Sequence, residues 1–374
     1  MTGPAPLPET TRRRLGVVGT LVWDTIEFED DRFAEWRPGT DRPDAEGEGR
    51  SASVEAWGGL AYALIAFDAV LAPHWDIVPI IKIGSDLSES ALEFLELLPR
   101  MDLGSGLRVV PEPNNRVELR YPGGSGRAER LTGGVPPWSW TELQPAVLTC
   151  DALYINFISG FEMELETAQM LKKGVSGPVY ADLHSLFLGV GPGGRRWPRA
   201  LPSAEAWLHC FDAVQMNEEE FGLLGAASSD PWAYAASHVG PNLRLVAVTL
   251  GARGAGYLAH PDAEHGLFGG SGSFRQGGEA GARSGVSERA EGRVLTPEEG
   301  PDIVRVASER NAPGDPTGCG DVWGATFFAR LLSGEKIRPA MTKANRMASL
   351  NLEYRGAPAL ARHLTRSGGS KGGP

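Results

Sequence analysis

Six apolar, strand-like runs alternate with helical stretches through much of the chain, at residues 16–23, 77–83, 152–158, 178–183, 213–216 and 245–250. Runs this apolar suit strands buried on both faces, and strands separated by helices pair in parallel. The pattern therefore predicts an α/β fold, a mostly parallel central sheet with helices against it. In such open sheets ligands bind beyond the carboxyl ends of the strands. Asp24, Asn217 and Thr249 fall at such ends in this reading. Residues 33–54 and 107–131 interrupt the alternation, the second with the strand-like Arg116-Val-Glu-Leu-Arg-Tyr121 and a Gly123-Gly-Ser-Gly126 turn.

Composition narrows the class. Of 374 residues, 41% are hydrophobic and 22% charged, and no apolar run approaches the roughly 20 residues that a membrane-crossing helix needs. A soluble protein with no membrane partner is expected. Arg12-Arg-Arg14 before an apolar run imitates a signal peptide, but Asp24, Glu27, Glu29, Asp30 and Asp31 follow where a small-residue cleavage site would stand. Cys150, Cys210 and Cys319 lie far apart, which predicts no disulfide and suits the cytoplasm. A formal charge of −11 argues against nucleic acid as a partner. Arg116, Arg120, Arg127 and Arg130 share one segment with Glu118 and Glu129, which reads first as a solvated strand face and second as a site for an anionic substrate. Residues 259–300, rich in Gly, Ser, Arg and Glu, read as a mobile insertion, and residues 1–11 and 367–374 as disordered tails.

Chemistry concentrates in Asp315-Pro-Thr-Gly-Cys-Gly-Asp321, which runs directly into Val322-Trp-Gly-Ala-Thr-Phe-Phe-Ala-Arg-Leu-Leu332. Val322, Ala325, Ala329 and Leu332 recur at helical spacing, so a helix should begin near Asp321. The first turn of a helix has spare N–H groups. Gly318, Cys319 and Gly320 are small enough to let an anion approach them, and the helix dipole favours negative charge there. Aspartate is common in first turns for dipole reasons alone. Beside a phosphate cradle it can also take a proton from an attacking hydroxyl, which is kinase chemistry.

Asp-x-Thr-Gly-x-Gly-Asp entering an apolar helix resembles the C-terminal motif of the ribokinase and phosphofructokinase-B family of small-molecule kinases. Other segments resemble the same family in the same order: the first strand with Asp24; Gly58-Gly59 entering a helix; Gly84-Ser-Asp86 after a strand; Asn217-Glu-Glu-Glu220; Thr249-Leu-Gly251-Ala-Arg-Gly254; and Gly356-Ala357. The resemblance spans about residues 16–357. It implies a ribokinase-like three-layer α/β/α domain over 12–362, with a small β-sheet lid from segments near 25–56 and 105–135.

The resemblance also implies roles. Asp321 would be the general base, with Gly318, Cys319 and Gly320 cradling the phosphoryl group. Asp24, Gly58 and Gly59 would position the acceptor. Asn217, Glu220, Thr249, Gly251, Gly254, Asp315 and Thr317 would attend ATP, with Glu220 supporting Mg²⁺ partly through water. A monovalent cation and a homodimer paired through the lids are further expectations. The implied reaction is ATP-dependent phosphorylation of a primary hydroxyl on a sugar or nucleoside. One departure stands out: Ala63 occupies a place where the family usually has Asn. Trp23, Trp57 and Tyr62 suggest an acceptor pocket more apolar than a simple sugar site.

Cys319 stands where the family usually has Ala. A helix terminus lowers a thiol pKa, so a reactive cysteine is one reading and a small filler the other. Two rival functions remain: a non-catalytic binding protein with a kinase-like fold, which Ala63 favours, and a dinucleotide-dependent oxidoreductase. The latter rests on Gly189-Val-Gly191-Pro-Gly-Gly194, which Arg195-Arg-Trp-Pro198 follows instead of a helix. Gly368-Gly-Ser370-Lys-Gly372, a hydrolase-elbow spacing in a tail, and the pair His260 and His265 are discounted. No Walker loop is present.

Overall fold

The computed structural model describes residues 12–28, 52–121, 128–225, 230–265, 304–307, 315–354 and 356–369. The expected insertion from 266 onward, the Gly123–Gly126 turn, Arg127, the centre of the first lid segment and the tails 1–11 and 370–374 lie outside these residues.

In chain order the strands are β1 (Arg13–Gly19), β2 (Leu21–Phe28), β3 (Ala52–Gly59), β4 (Trp75–Gly84), β5 (Leu107–Val110), β6 (Arg116–Tyr121), β7 (Ala128–Thr132), β8 (Ala152–Asn156), β9 (Val179–Asp182), β10 (Leu188–Val190), β11 (Arg196–Pro198), β12 (Ala213–Asn217), β13 (Leu245–Thr249), β14 (Ala255–Ala259) and β15 (Val304–Val306). The helices are α1 (Leu60–Val70), α2 (Ser88–Glu96), α3 (Trp140–Val147), α4 (Leu165–Gly174), α5 (Ala204–Leu208), α6 (Glu218–Leu223), α7 (Pro231–His238), α8 (Cys319–Leu332), α9 (Ile337–Asn351) and α10 (Ala357–Gly369).

Nine strands form the central sheet in the order β15-β14-β13-β12-β9-β8-β1-β4-β5, parallel except where β14 runs against β13 and β15. The inner strands are buried on both faces, and their side chains divide by the period of two that a pleated strand imposes. Leu15 and Val17 of β1, Tyr154 of β8 and Ala247 of β13 join one core, which α1, α8, α9 and α10 cover. Val18, Ile155 and Val248 of the same strands join a second core, covered by α3, α4, α5, α6 and α7. The three layers are thus helix, sheet, helix.

A second sheet of four strands, β3-β2-β6-β7, carries its own small core of Val22, Ile26, Val117, Leu119 and Ile158. The apolar run at 16–23 is therefore two strands rather than one. It breaks at Thr20, whose hydroxyl donates to the buried carboxylate of Glu162 (2.9 Å), and β2 leaves the central sheet to open the lid. Segment 107–110, expected in the lid, is instead the edge strand β5 of the central sheet. Ala259 closes β14, Pro261–His265 form a short 3₁₀ turn, and α10 runs on to Gly369.

Candidate active site

The central sheet presents polar residues in a row at its carboxyl edge. Asn156 ends β8 opposite Asp182, which ends β9; Asp182 pairs with Gln215 of β12, and Asn217 pairs with Thr249 of β13. The N-terminus of α8 meets this row. Gly318 caps the helix in the left-handed region (φ 76°), and a Cβ there would stand 2.3 Å from the Tyr62 ring, so glycine is required on both counts. Asp321 lies in the first turn, where Asn156 Nδ2 donates to its Oδ1 at 2.6 Å. Gln215 Nε2 donates to both the Gly320 carbonyl (3.0 Å) and Asp182 Oδ2 (2.9 Å), while its Oε1 accepts from the Tyr180 hydroxyl (2.8 Å). Gly324 makes room for this fork, since a Cβ there would come within 2.2 Å of Gln215 Oε1. From the other side, Asn351 at the end of α9 donates to the Thr317 carbonyl (2.8 Å), bracing the turn before α8.

Next to Asp321 lies a second acidic pair. Burial, reinforced by the Glu220 carboxylate and partly offset by His184, pushes the Asp182 carboxyl well above its ordinary pKa. Glu220 belongs to a capping box at the start of α6: its Oε2 accepts from the Asn217 amide (2.8 Å), and Asn217 Oδ1 accepts from the Glu220 amide (2.9 Å). Glu220 Oε1 also faces His184 Nδ1 at 2.5 Å and accepts from Asn217 Nδ2 at 2.6 Å. Among the described residues no group of three or more His, Cys, Asp or Glu is arranged to hold a metal ion.

A cleft of about 210 Å³ runs from α8 and the sheet edge to the underside of the lid. Asp321, Gly318, Gly320, Thr317, Asn217, Glu220 and Thr249 line one end of it, and Asp24 and Gly59 the other. Asp24 is buried (5% exposed) and sits in the middle of β2, not at a sheet-strand end as expected. It still reaches the cleft because β2 crosses above the end of β1. Gly58 lies directly beneath it: a Cβ at 58 would fall 1.7 Å from Asp24 Oδ2. Tyr62, at the start of α1, borders the cleft, its phenol held well above its usual pKa by burial and then by the Asp24, Asp315 and Asp321 carboxylates.

Several expected residues stand apart from the cleft. The Cys319 amide donates back to the Pro316 carbonyl (3.1 Å), and its thiol packs inward against the Ala348 carbonyl and Asn351. Burial, opposed by the Asn351 hydrogen bond, pushes that thiol up to about 12, the reverse of the activation expected at a helix terminus. Cys319 is therefore a filler, and of the three small residues Gly318 and Gly320 line the cleft. Asp315 is buried and accepts from the Thr317 amide (2.9 Å), shaping the turn. Gly251 and Gly254 form the 3₁₀ turn after β13, both at positive φ, beyond the cleft wall. Trp23 and Trp57 meet edge to face (5.2 Å) on the core side of the lid, so of the three aromatics only Tyr62 faces the cleft. Ala63 is fully buried in the α1 core. Asp86 accepts from the Asn114 amide and pairs with Arg116 at the base of the lid.

The discounted signals are structural. The Gly189 segment is the antiparallel hairpin β10–β11, with Gly193 and Gly194 at positive φ in its turn, and no helix follows to receive a dinucleotide. His260 and Asp262 pack within the turn after β14. Among the described residues no helix is long and apolar enough to cross a membrane. Asn156, Asp182, His184, Gln215 and Glu129 were missed as site residues. For Asn156, Asp182 and Gln215 the available signal was a polar side chain closing or interrupting an apolar strand run; His184 and Glu129 carried none.

Layer order, sheet order and lid together define the ribokinase-like fold. No family model and no curated protein matches the sequence. Solved structures do match over nearly the whole chain: a pyrophosphate-dependent kinase of the ribokinase family in complex with sulfate (16% identity, 94% of this chain and 99% of that one, TM-score 0.64), a nucleoside kinase from Burkholderia thailandensis in complex with inosine (13%, 95% and 98%, TM-score 0.62), and Arabidopsis thaliana ribokinase complexed with ribose and ATP (15%, 96% and 98%, TM-score 0.59).

Proposed function

We propose that the protein is a phosphotransferase that moves a phosphoryl group, with ATP as donor, to a primary hydroxyl of a sugar or nucleoside. The observation that carries this reading is Asp321 beside the glycine-lined N-terminus of α8, hydrogen-bonded by Asn156 and facing the same cleft as Asp24. Asp321 would take the proton from the attacking hydroxyl, and the Gly318 and Gly320 amides with the α8 dipole would stabilise charge on the phosphoryl group. Asp24, kept in place by the absence of a side chain at Gly58, would accept hydrogen bonds from acceptor hydroxyls.

The residues fit an anionic donor: Gly320 is exposed with no neighbour pressing on its Cα, and Thr317, Asn217 and Thr249 line the approach. Gly251 and Gly254 would extend this wall toward the nucleotide, with Asp315 shaping the turn below. Mg²⁺ would neutralise charge on the donor phosphates. Glu220, whose oxygens are engaged by Asn217 and His184, suits contact with such an ion through water.

Acceptor-dependent ADP formation from ATP and Mg²⁺, across sugars, sugar phosphates, sugar acids and nucleosides, tests the proposal. Turnover with one class of acceptor is expected. ATP binding with no turnover on any acceptor would convert the reading to a binding protein.

A further inference from the structure

A fully buried side chain ties the lid to the central sheet. Asn114 stands just before β6, and its Oδ1 accepts from the amide of Gly84, the last residue of the central strand β4 (3.0 Å). Its Nδ2 donates to the carbonyl of Leu21, the first residue of the lid strand β2 (3.0 Å), and to the Asn115 carbonyl (3.1 Å). That Asn115 carbonyl also accepts from the Trp23 amide (3.0 Å), and Asn115 Oδ1 accepts from the Val135 amide beyond β7 (3.3 Å). The backbones press just as close. A Cβ at Gly84 would fall 2.0 Å from the Asn114 nitrogen, and one at Gly133, which has φ 108°, would fall 2.5 Å from the Asn114 carbonyl oxygen.

A carboxamide suits this place because its two ends differ. The joint needs an acceptor toward Gly84 and donors toward two carbonyls, and an apolar residue of similar size would leave those desolvated backbone groups unpaired. The bond to Leu21 has a consequence at the cleft. Leu21 pairs with Gly59 and Val22 with Gly58, so fixing the origin of β2 also fixes Gly58, and Asp24 three residues along the strand. The opposite end of the cleft is built separately. Gly318 and Gly320 belong to the start of α8, and Asn217 and Thr249 to β12 and β13, on the far side of β1 from β4.

Resting on the kinase reading above, we propose that Asn114 is a positioning residue for the acceptor: it sets the posture of the lid over the cleft, and with it the place of Asp24 relative to Asp321.

Hydrogen exchange and steady-state kinetics on Asn114→Ala and Asn114→Asp test this, with ribose as the sugar probe and inosine as the nucleoside probe. In Asn114→Ala, amides of β2 and β6 should exchange about tenfold faster than in the wild type, while those of β1 and β8 keep their protection. The acceptor KM should rise about tenfold, more than kcat falls, with the ATP KM changed by less than about twofold. Asn114→Asp separates positioning from loss of packing. Protonated, its carboxyl can donate to the Leu21 carbonyl and accept from Gly84. Ionised, it faces two carbonyls and the Asp86 carboxylate, which accepts from the Asn114 amide (2.7 Å) and pairs with Arg116 (2.8 Å). Relative to wild type at the same pH, its acceptor KM and lid exchange should be closer to normal at pH 5 than at pH 8. An unchanged acceptor KM in folded Asn114→Ala, an equal rise in both KM values, or a pH-independent ratio in Asn114→Asp would overturn the proposal. Should Asn114→Ala fail to fold, the Asn114→Asp ratio decides. Absence of ADP formation by the wild-type protein would overturn the kinase reading for these acceptors, and exchange then judges the joint: loosening confined to the lid and relieved at pH 5 sustains it, and uniform loosening or none overturns it.

Discussion

Asp321 and Asp24 border the same cleft, yet they are secured differently. Asp321 is gripped by Asn156 of β8, and the Gly320 carbonyl beside it by Gln215 of β12, so the central sheet holds the first turn of α8 through part-buried hydrogen bonds. Asp24 rides on a lid strand, lying over the bare Cα of Gly58, and its lid neighbours are mostly aliphatic. Buried polar networks specify geometry because each broken bond leaves a desolvated group behind. A transfer centre needs that rigidity, since displacements near an ångström cost large factors in rate. The lid, by contrast, can change what it recognises by exchanging a few side chains on one face.

The largest test of this contrast is Asp321→Asn, which should lower kcat by about 10²–10⁴-fold while ATP still binds. Unchanged turnover would remove Asp321 from the chemistry and with it the distinction between the two ends. At the lid end, Gly58→Ala forces the Asp24 carboxylate aside, and the acceptor KM should rise by about tenfold, equivalent to about 1.4 kcal/mol, with the ATP KM steady. A matching rise in both constants would show that the ends are mechanically one unit.

Gln215→Ala strips three hydrogen bonds from the transfer end and should cost about 1–3 kcal/mol of stability by urea unfolding. A cost near zero would mean that the network does not hold the site. Asp182 supplies a pH test. Its folded carboxyl titrates above its unfolded value, so it contributes stability below about pH 4 that is lost as pH climbs toward the raised value. Asp182→Asn keeps an oxygen for Gln215 and should raise the melting temperature more at pH 8 than at pH 5; the opposite trend would refute the assignment. The smallest effect belongs to Cys319: with its thiol at about 12, mass spectrometry after alkylation at pH 8 should find it unmodified in folded, fully active protein.

Much of the transfer end was legible because its residues are contiguous or close strand ends. Gly318, Gly320 and Asp321 sit within four positions, and the helix after them is plain from its apolar spacing. Asn217 and Glu220 were legible only through their resemblance to the family's Asn-x-x-Glu after a strand. The lid end was not. Glu129 reads as one charge in a mixed-sign segment, and only its register opposite Leu119 puts it over the cleft. The two readings of Cys319 stayed open because sequence places it at a helix terminus without saying which way the thiol turns. Trp23 was misread because the alternation along β2 puts odd positions away from the ligand side.

By itself, the sequence determined the elements: buried strands from uniformly apolar runs, their parallel pairing from the helices between them, and a glycine-lined helix start from small residues before Asp321. These are local consequences of side-chain volume, backbone freedom and periodicity. Only the tertiary structure decided that Asn156 holds Asp321 from 165 residues away in the chain, that Arg196 of a small hairpin reaches Glu129, and that β2 leaves the central sheet at Thr20. Those are contacts between distant segments, set by strand order and by which face each residue presents, and no local pattern encodes them.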